Sequence, residues 1–153
     1  MAIKICIRRA ELFDADAISQ VIILALKETN SKDYNSLLIE EIKKNFTPDR
    51  VIELINKRQV FVATTAEKDN VIGTASLEGD AIRSVFVSPN MQRKNIGTML
   101  MGYLENIAKE QNIRCLTVPS SVTAERFYLK LGYKALRDEY YGEERTIIME
   151  KHI

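Results

Sequence analysis

The chain has no tryptophan, one histidine and two cysteines among its 153 residues. Cys6 and Cys115 lie far apart and among apolar neighbours, so their spacing indicates neither a disulfide framework nor a zinc site. We expect both to be buried free thiols, and no metal is implied. His152 lies near the C-terminus, where we expect a tail residue rather than a base or a ligand.

The sequence also lacks an excess of charge of either sign, with 22 Lys plus Arg against 21 Asp plus Glu. Domains that bind nucleic acid usually carry a clustered basic excess, so nucleic acid is not the expected primary partner. No apolar run is long enough to span a membrane, and the N-terminal segment lacks the apolar core of a secretory signal. We therefore expect a cytoplasmic protein with no membrane partner.

The chain is long enough, and at 46% hydrophobic residues apolar enough, to bury a core without disulfides or metal. No internal repeat, linker or low-complexity segment divides it. We therefore predict a single domain over residues 1–153.

Hydrophobic periodicity predicts the order of the elements. Residues 34–57 read as a broken helical region in which Thr47 is an N-cap and Pro48 the first helical residue, and Gly132 reads as a left-handed helix cap. Strands are predicted near 3–9, 60–63, 71–75, 82–87, 115–118, 133–140 and 146–151, and further helices over 15–28, 96–107 and 124–131. This order predicts an α/β (α+β) domain with a mixed, mostly antiparallel sheet of six to seven strands and helices on both faces.

Residues 85–104 carry the strongest chemical signal, because a strand leads through a polar turn with two cations, Arg93 and Lys94, into a helix. The unpaired N–H groups and partial positive charge of a helix start can bind a phosphate or pyrophosphate. Gly97 permits close backbone approach. The alternative, a solvated turn in which Gly97 is a packing residue, stays open on this segment alone because short glycine-containing loops are weak signals.

Two motifs resemble signatures of the GCN5-related N-acetyltransferase (GNAT) superfamily. The run Gln92-Arg93-Lys94-Asn95-Ile96-Gly97 is similar to its acetyl-CoA-binding motif, a Gln or Arg, two residues, Gly, one residue, then Gly or Ala. Asn95 stands where the first glycine is expected, and Asn is the non-glycine residue that best tolerates a left-handed backbone. The run Ala124 to Tyr133 looks like the second signature, an Ala, then Phe-Tyr, then Leu-Gly-Phe or Leu-Gly-Tyr. The resemblance covers residues 60–150.

The resemblance implies a sheet that splays between the fourth strand, near Ser84–Val87, and the fifth, near Leu116–Val118, and admits the pantetheine arm of acetyl-CoA. Parted strands offer backbone groups with which the amide-rich arm can pair. Ser120 is included because residues 118–121 stand where many relatives have an asparagine that contacts the arm. The implied cofactor-binding residues are Phe86, Val87, Gln92, Arg93, Lys94, Asn95, Ile96, Gly97, Thr98, Ser120, Ala124, Phe127 and Tyr128.

The resemblance also implies direct attack of a neutral amine on the thioester in a ternary complex. Tyr128 matches the general acid that protonates the leaving thiolate, and the backbone N–H of Val87 is the candidate that polarises the thioester carbonyl. A core aromatic is the alternative for Tyr128, because it shares helical spacing with Phe127 and Leu131. Cys115, in a predicted buried strand, lacks the setting that activates a thiolate.

No carboxylate stands out as the general base. Water is an alternative, and each carboxylate candidate is better explained as a solvated surface charge. By analogy with the family, Tyr140–Gly142 and Thr29–Tyr34 form the walls of the acceptor pocket. The candidate bases are Glu28, Glu40, Glu78, Asp138 and Glu139.

Two functions stay open. One is an N-acetyltransferase whose partners are acetyl-CoA and an amine acceptor, either a small molecule, an amino acid or a peptide or protein N-terminus. The other is a non-catalytic module of the same fold that senses acyl-CoA or binds a partner, which Asn95 and Pro119 favour and Tyr128 opposes. A doubly wound nucleotide-binding protein would need a glycine-rich turn after the first strand, and residues 7–11 contain none. Homodimers are common in the family, so a homodimer is expected.

Overall fold

The computed structural model describes residues 3–91 and 94–153. Within them, seven strands form one sheet in the order β1-β2-β3-β4-β5-β7-β6. The strands are β1 (Ile5–Arg9), β2 (Gln59–Thr65), β3 (Val71–Glu78), β4 (Ala81–Val87), β5 (Cys115–Ser121), β6 (Lys134–Tyr141) and β7 (Glu144–His152). The helices are α1 (Ala15–Glu28), α2 (Ser36–Lys43), α3 (Pro48–Lys57), α4 (Ile96–Glu110) and α5 (Glu125–Lys130).

Every neighbouring pair in the sheet is antiparallel except β4 and β5, which are parallel. The predicted mixed, mostly antiparallel sheet is therefore confirmed. Among the described residues, no helix is both long and apolar enough to cross a membrane.

Local chemistry fixes where the helices begin and end. Thr47 caps α3 by accepting a hydrogen bond from the Arg50 N–H, and Pro48 is the first helical residue, as predicted. Asn35 caps α2 through its side-chain oxygen, which accepts from the Leu38 N–H at 2.8 Å. After α5, Gly132 takes a φ of 97°, the left-handed conformation that its position predicts.

The side chains of β2 alternate between two hydrophobic cores, one on each face of the sheet. Phe61 and Ala63 belong to the cluster that α4 covers, and Val60 and Val62 belong to the cluster that α1, α2 and α3 cover. Successive side chains of a strand point to opposite faces, so this single strand joins both clusters. Helices thus lie on both faces of the sheet.

The two cysteines are less buried than predicted. Cys6 is exposed and Cys115 is half-buried, because the alternation of β1 turns Cys6 away from the core. The sulfur of Cys115 lies 3.6 Å from a carboxylate oxygen of Glu150, and burial together with this negative charge raises the pKa of the thiol. His152, expected in a tail, is the last residue of β7.

An irregularity in β4 parts the sheet. The register between β3 and β4 shifts, and Ser84 in this bulge has a left-handed φ of 55°. Bulges bend a strand and increase its twist. In the described ladder, β4 then pairs with β5 at a single position, Ala81 with Thr117. The predicted splay between the fourth and fifth strands is confirmed.

Candidate active site

The gap between β4 and β5 opens into a cavity of about 560 Å³, a size typical of small-molecule and cofactor sites. The first residues of α4 line one side of it. The end of α1, the loop that follows, α2 and the β6–β7 hairpin line another. The cavity therefore connects a helix N-terminus, the parted strands and the segments predicted to form the acceptor wall.

The N-terminus of α4 borders the cavity through Asn95–Thr98. Asn95 is the N-cap residue and has a φ of 60° and a ψ of 22°, so the left-handed backbone predicted for it is confirmed. The first turn of α4 has no acidic residue. The positive end of the helix dipole therefore acts on the cavity without a carboxylate of its own helix to neutralise it.

Gly97 packs closely against the opposite wall. A Cβ atom built at Gly97 would lie 3.0 Å from Cζ of Phe127 and 3.7 Å from Cγ2 of Val87. Gly97 is thus a packing residue that also borders the cavity, and its role at a pyrophosphate stays a prediction.

The structure brings most of the predicted cofactor-binding residues to one cavity. The exceptions are Lys94, which is exposed, and Ser120, which is buried and whose hydroxyl donates to the Ser121 carbonyl at 2.7 Å. The alternation of β5 places Ser121 in the wall instead. Gln92 and Arg93 lie outside the described residues. The residues in the wall are Phe86, Val87, Asn95, Ile96, Gly97, Thr98, Ala124, Phe127 and Tyr128.

Tyr128 is both a core aromatic and a residue of the cavity wall. It is 4% exposed, and its ring packs edge to face with those of Phe127 and Tyr133, at centroid distances of 5.1 and 5.9 Å. Burial raises the pKa of Tyr128 well above its ordinary value of 10. The phenol therefore stays protonated at neutral pH.

Tyr34 links the loop after α1 to the residue that follows β5 and to β7. Its hydroxyl accepts a hydrogen bond from the Val122 N–H at 2.9 Å and donates one to the Arg145 carbonyl at 3.2 Å. Asp33 adds a 2.8 Å hydrogen bond from the Thr123 hydroxyl. Burial raises the pKa of Tyr34, so this hydroxyl stays protonated and can keep both bonds. The loop predicted as an acceptor wall lines the cavity.

The carboxylate in the cavity wall is one that the sequence did not single out. Of the described residues, Glu144 alone brings a carboxylate to this wall, and burial raises its pKa. A signal for it exists in the hairpin, where Tyr141 pairs with Glu144 across a two-residue turn. Four of the five predicted bases are not lining residues and are held in ion pairs: Glu40 with Lys43, Glu78 with Arg83, Asp138 with Arg145 and Glu139 with Arg137.

The fifth, Glu28, is an exposed residue at the end of α1 and also lies outside the wall. Tyr141 of the hairpin lines the cavity, as predicted from analogy. The described residues contain no group of three or more side chains that could hold a metal ion.

Comparison with known proteins gives a consistent result. A family model described as an acetyltransferase (GNAT) domain matches residues 30–151. An uncharacterised N-acetyltransferase of Chlorobaculum tepidum is 28% identical over 147 residues, which cover 91% of this chain and 81% of the relative.

Solved structures share the fold along the whole chain. A GCN5-related N-acetyltransferase of Rhodopseudomonas palustris has a TM-score of 0.91 at 24% identity, with 100% of this chain and 99% of the other covered. The PaiA N-acetyltransferase of Thermoplasma acidophilum, solved with coenzyme A, has a TM-score of 0.82 at 21% identity and coverages of 98% and 99%. YncA of Salmonella typhimurium, solved with its cofactor acetyl-CoA, has a TM-score of 0.68 at 19% identity and coverages of 97% and 94%.

Proposed function

This chain belongs to the GNAT acetyltransferase family, and from that premise we propose that it transfers an acetyl group from acetyl-CoA to a primary amine in a ternary complex. One observation carries the proposal. A single cavity joins the N-terminus of α4, the parted strands and a wall that holds both a phenol, Tyr128, and a carboxylate, Glu144. Direct transfer needs these parts side by side.

Acetyl-CoA is proposed to bind with its pyrophosphate at the start of α4 and its pantetheine arm between β4 and β5. The left-handed Asn95, the close approach at Gly97 and the uncompensated helix dipole support the pyrophosphate site. PaiA and YncA were solved with coenzyme A and acetyl-CoA, respectively. Roles for Gln92, Arg93 and Lys94 at the phosphates stay predictions.

The substrate ammonium loses one proton, and its nitrogen attacks the thioester carbon, forming a C–N bond and an oxyanion. Collapse of this intermediate breaks the C–S bond, and the nitrogen loses a second proton. The thiolate takes up one proton, so the products are the acetamide, the coenzyme A thiol and one free proton. Donation from the Val87 backbone N–H to the oxyanion stays a prediction.

Tyr128 is proposed to act on the departing sulfur. Its buried phenol keeps its proton, as a donor must. A phenol with so raised a pKa is a much weaker acid than a thiol, whose ordinary pKa is about 8.5. We therefore assign Tyr128 a hydrogen bond that stabilises the thiolate as it forms, and protonation is completed when the product reaches water.

Glu144 is proposed as the base that deprotonates the substrate ammonium. It is half-buried in the cavity wall, and its raised pKa makes it a stronger base than an ordinary glutamate. In this role it takes the place of the five surface carboxylates. The rate should rise with pH as Glu144 ionises, over a range above the ordinary glutamate pKa.

A non-catalytic acyl-CoA sensor remains the second candidate, because Pro119 in the wall has no N–H to donate to the pantetheine arm. Calorimetric titration with acetyl-CoA, followed by thiol release with amines, amino acids and peptides, separates the two functions. Binding with amine-dependent release is the expected result. Binding without release from any acceptor would favour the sensor, and no binding would contradict both. The cytoplasmic location and the homodimer stay predictions.

Exchanging Tyr128 for Phe tests the catalytic assignment. The variant should lose about 100-fold in kcat, at the lower end for removal of one positioned hydrogen-bond donor, with little change in the dissociation constant of acetyl-CoA. Thiol-release assays measure kcat, and calorimetry on the same preparation measures the dissociation constant of acetyl-CoA. An unchanged kcat would leave Tyr128 as a core aromatic only.

A further inference from the structure

Three cations share one carboxylate beside the cavity. Glu78 lies 3.0 Å from Arg83 Nε, 3.7 Å from Arg58 Nε and 3.6 Å from Lys57 Nζ. Arg58 and Arg83 line the cavity. Lys57 is exposed and is not a lining residue, so on this side of the cavity two guanidinium groups share the single negative charge of Glu78 and leave a positive excess.

Arg58 is the most desolvated of the three cations. Its side chain is 14% exposed, and Nη1 donates to the hydroxyls of Ser84 at 3.2 Å and Ser76 at 3.5 Å. Its Nε is buried and makes no hydrogen bond to a described residue. Burial lowers the pKa of Arg58, the charge of Glu78 raises it, and that of Arg83 lowers it again. An incompletely paired guanidinium in a cavity wall favours an anionic ligand.

Glu144 presents the opposite charge in the same cavity. It makes no ion pair with a described residue, and its neighbour Arg145 is paired instead with Asp138 at 3.0 Å. A half-buried carboxylate without a cation favours a positively charged ligand. The acceptor ammonium proposed above is such a ligand.

Tyr141 of the β6–β7 hairpin lies in the same cavity wall as both charges, and its hydroxyl donates to a carboxylate oxygen of Glu139 at 3.0 Å. Tyr141, Arg83 and Glu144 all line the cavity. A small molecule at this hairpin can therefore meet a positive and a negative group of the protein together.

On the basis of the proposed function, we propose that the acceptor is a small amine that also carries an anionic group, with its ammonium at Glu144 and its anionic group at Arg58 and Arg83. Amino acids are the simplest members of this class. Diamines are disfavoured, because a second ammonium would meet the arginines. The wall also includes Ile42, Phe46 and Phe86, so an apolar side chain on the acceptor has matching surface.

Matched acceptors test the proposal. We would measure kcat/KM by thiol release for the common amino acids, each beside its amide and its decarboxylated amine, with aminophosphonates and diamines as further arms. The amino acid should exceed its amide and its amine by about tenfold or more, the ratio that one ionic contact of about 1.4 kcal/mol gives. Preference for phosphonates over carboxylates would identify the anionic group as a phosphonate or phosphate and would keep the proposal. Equal or better use of amides, diamines or decarboxylated amines, none of which carries an anionic group, would overturn the proposal.

Substitutions of Arg58 and Arg83 test whether these residues cause the preference for amino acids over matched amines. Arg58→Gln and Arg83→Gln should each reduce the acid-to-amine ratio by raising KM for the amino acid, with KM for acetyl-CoA unchanged, and Arg58→Lys should keep much of the ratio. Arg50→Gln is the matched control, because Arg50 lies on α3 and pairs with Glu53 on the surface. A ratio that stays unchanged in both arginine variants would contradict the assignment. If Arg58→Gln proves unstable, because it also loses its bonds to Ser84 and Ser76, Arg83→Gln still decides.

Binding without turnover separates this inference from the proposed function. Calorimetry of amino acids and matched amines, with the protein saturated with coenzyme A, needs no reaction. Selective binding of the zwitterion without thiol release would support the charged site and contradict the enzyme. Thiol release that is as efficient with acceptors that lack an anionic group as with amino acids would support the enzyme and contradict the charged site.

Discussion

Gly97 leaves no room for a side chain between α4 and α5. A methyl group there would lie 3.0 Å from the ring of Phe127, which would have to move within the cavity wall. Gly97→Ala should therefore weaken acetyl-CoA binding about tenfold or more, as measured by calorimetry.

Gly102 provides the matched control for this prediction. It lies on the same helix, and apart from its chain neighbours and the helix backbone no atom of a described residue lies within 4 Å of its Cβ position. Gly102→Ala should leave affinity unchanged and stabilise the protein by roughly 0.5–1 kcal/mol, because alanine loses less entropy in a helix. Equal affinity of the Gly97 and Gly102 variants would contradict the placement of the cofactor beside Gly97.

Glu144 should lower stability at neutral pH. Because burial raises its pKa in the folded protein, its contribution is fully present below the unfolded pKa of about 4.3 and is lost as pH rises through the folded value. Glu144→Gln removes this loss, so the variant should be more stable than the parent at pH 7 and not at pH 4. Urea unfolding at both pH values measures the difference.

The neighbour in the turn, Glu143, is exposed and is not a lining residue, so Glu143→Gln is the control variant for the loss of a surface carboxylate. A gain in Glu144→Gln that is equal at both pH values would attribute the effect to packing rather than to ionisation. If Glu144 is the base, the same substitution that stabilises the fold should also remove the rise of kcat/KM with pH.

At the scale of elements, Tyr34 holds the acceptor wall in place. Tyr34→Phe removes the hydrogen bonds to Val122 and Arg145 and should cost about 1–2 kcal/mol of stability. KM for the acceptor should rise more than KM for acetyl-CoA, because the loop lines the acceptor side. Tyr103→Phe is the control, since Tyr103 is partly exposed on α4 and its hydroxyl makes no hydrogen bond to a described residue. Parallel changes in both KM values would contradict a local role.

Periodicity predicted the elements well because most of them bury one face. Alternating isoleucines predicted β1, and the pair Thr47 and Pro48 predicted the start of α3. The bulge at Ser84 has no such signal, because serine is an ordinary strand residue and its left-handed φ follows from pairing with β3. The local sequence therefore carries no signal for the splay of the sheet. The splay was predicted from the family resemblance alone.

The sequence predicted some residues of the candidate site and missed others for a similar reason. Residues of the two motifs reach the cavity because short segments carry them there together. Ser120 misses it by one position in β5, and Glu144 reaches it through the register of a hairpin. Arg58 reaches Ser76 of β3 and Ser84 of β4, which lie 18 and 26 residues away along the chain. Such contacts depend on tertiary packing, and the hydrophobic periodicity of one segment gives no information about it.

At the scale of the whole molecule, the two cores should unfold together. Both clusters draw side chains from β2, so losing one exposes the strand that supports the other. We expect one transition in urea that coincides by far-ultraviolet circular dichroism and by tyrosine fluorescence, which is usable because the chain has no tryptophan. Two separated transitions would contradict this coupling. Saturating acetyl-CoA should raise the midpoint, since a ligand of the folded state stabilises it.

The single bridge between β4 and β5 also determines how the domain would carry mechanical force. Ile5 lies in β1 and His152 in β7, on opposite sides of this junction. A pull between these two residues has to cross from β4 to β5. The described residues form one register pair at this junction and at least five at each of the others. This junction is the mechanically weak line of the sheet, and a molecule bound in the gap would act as a tie between its two halves.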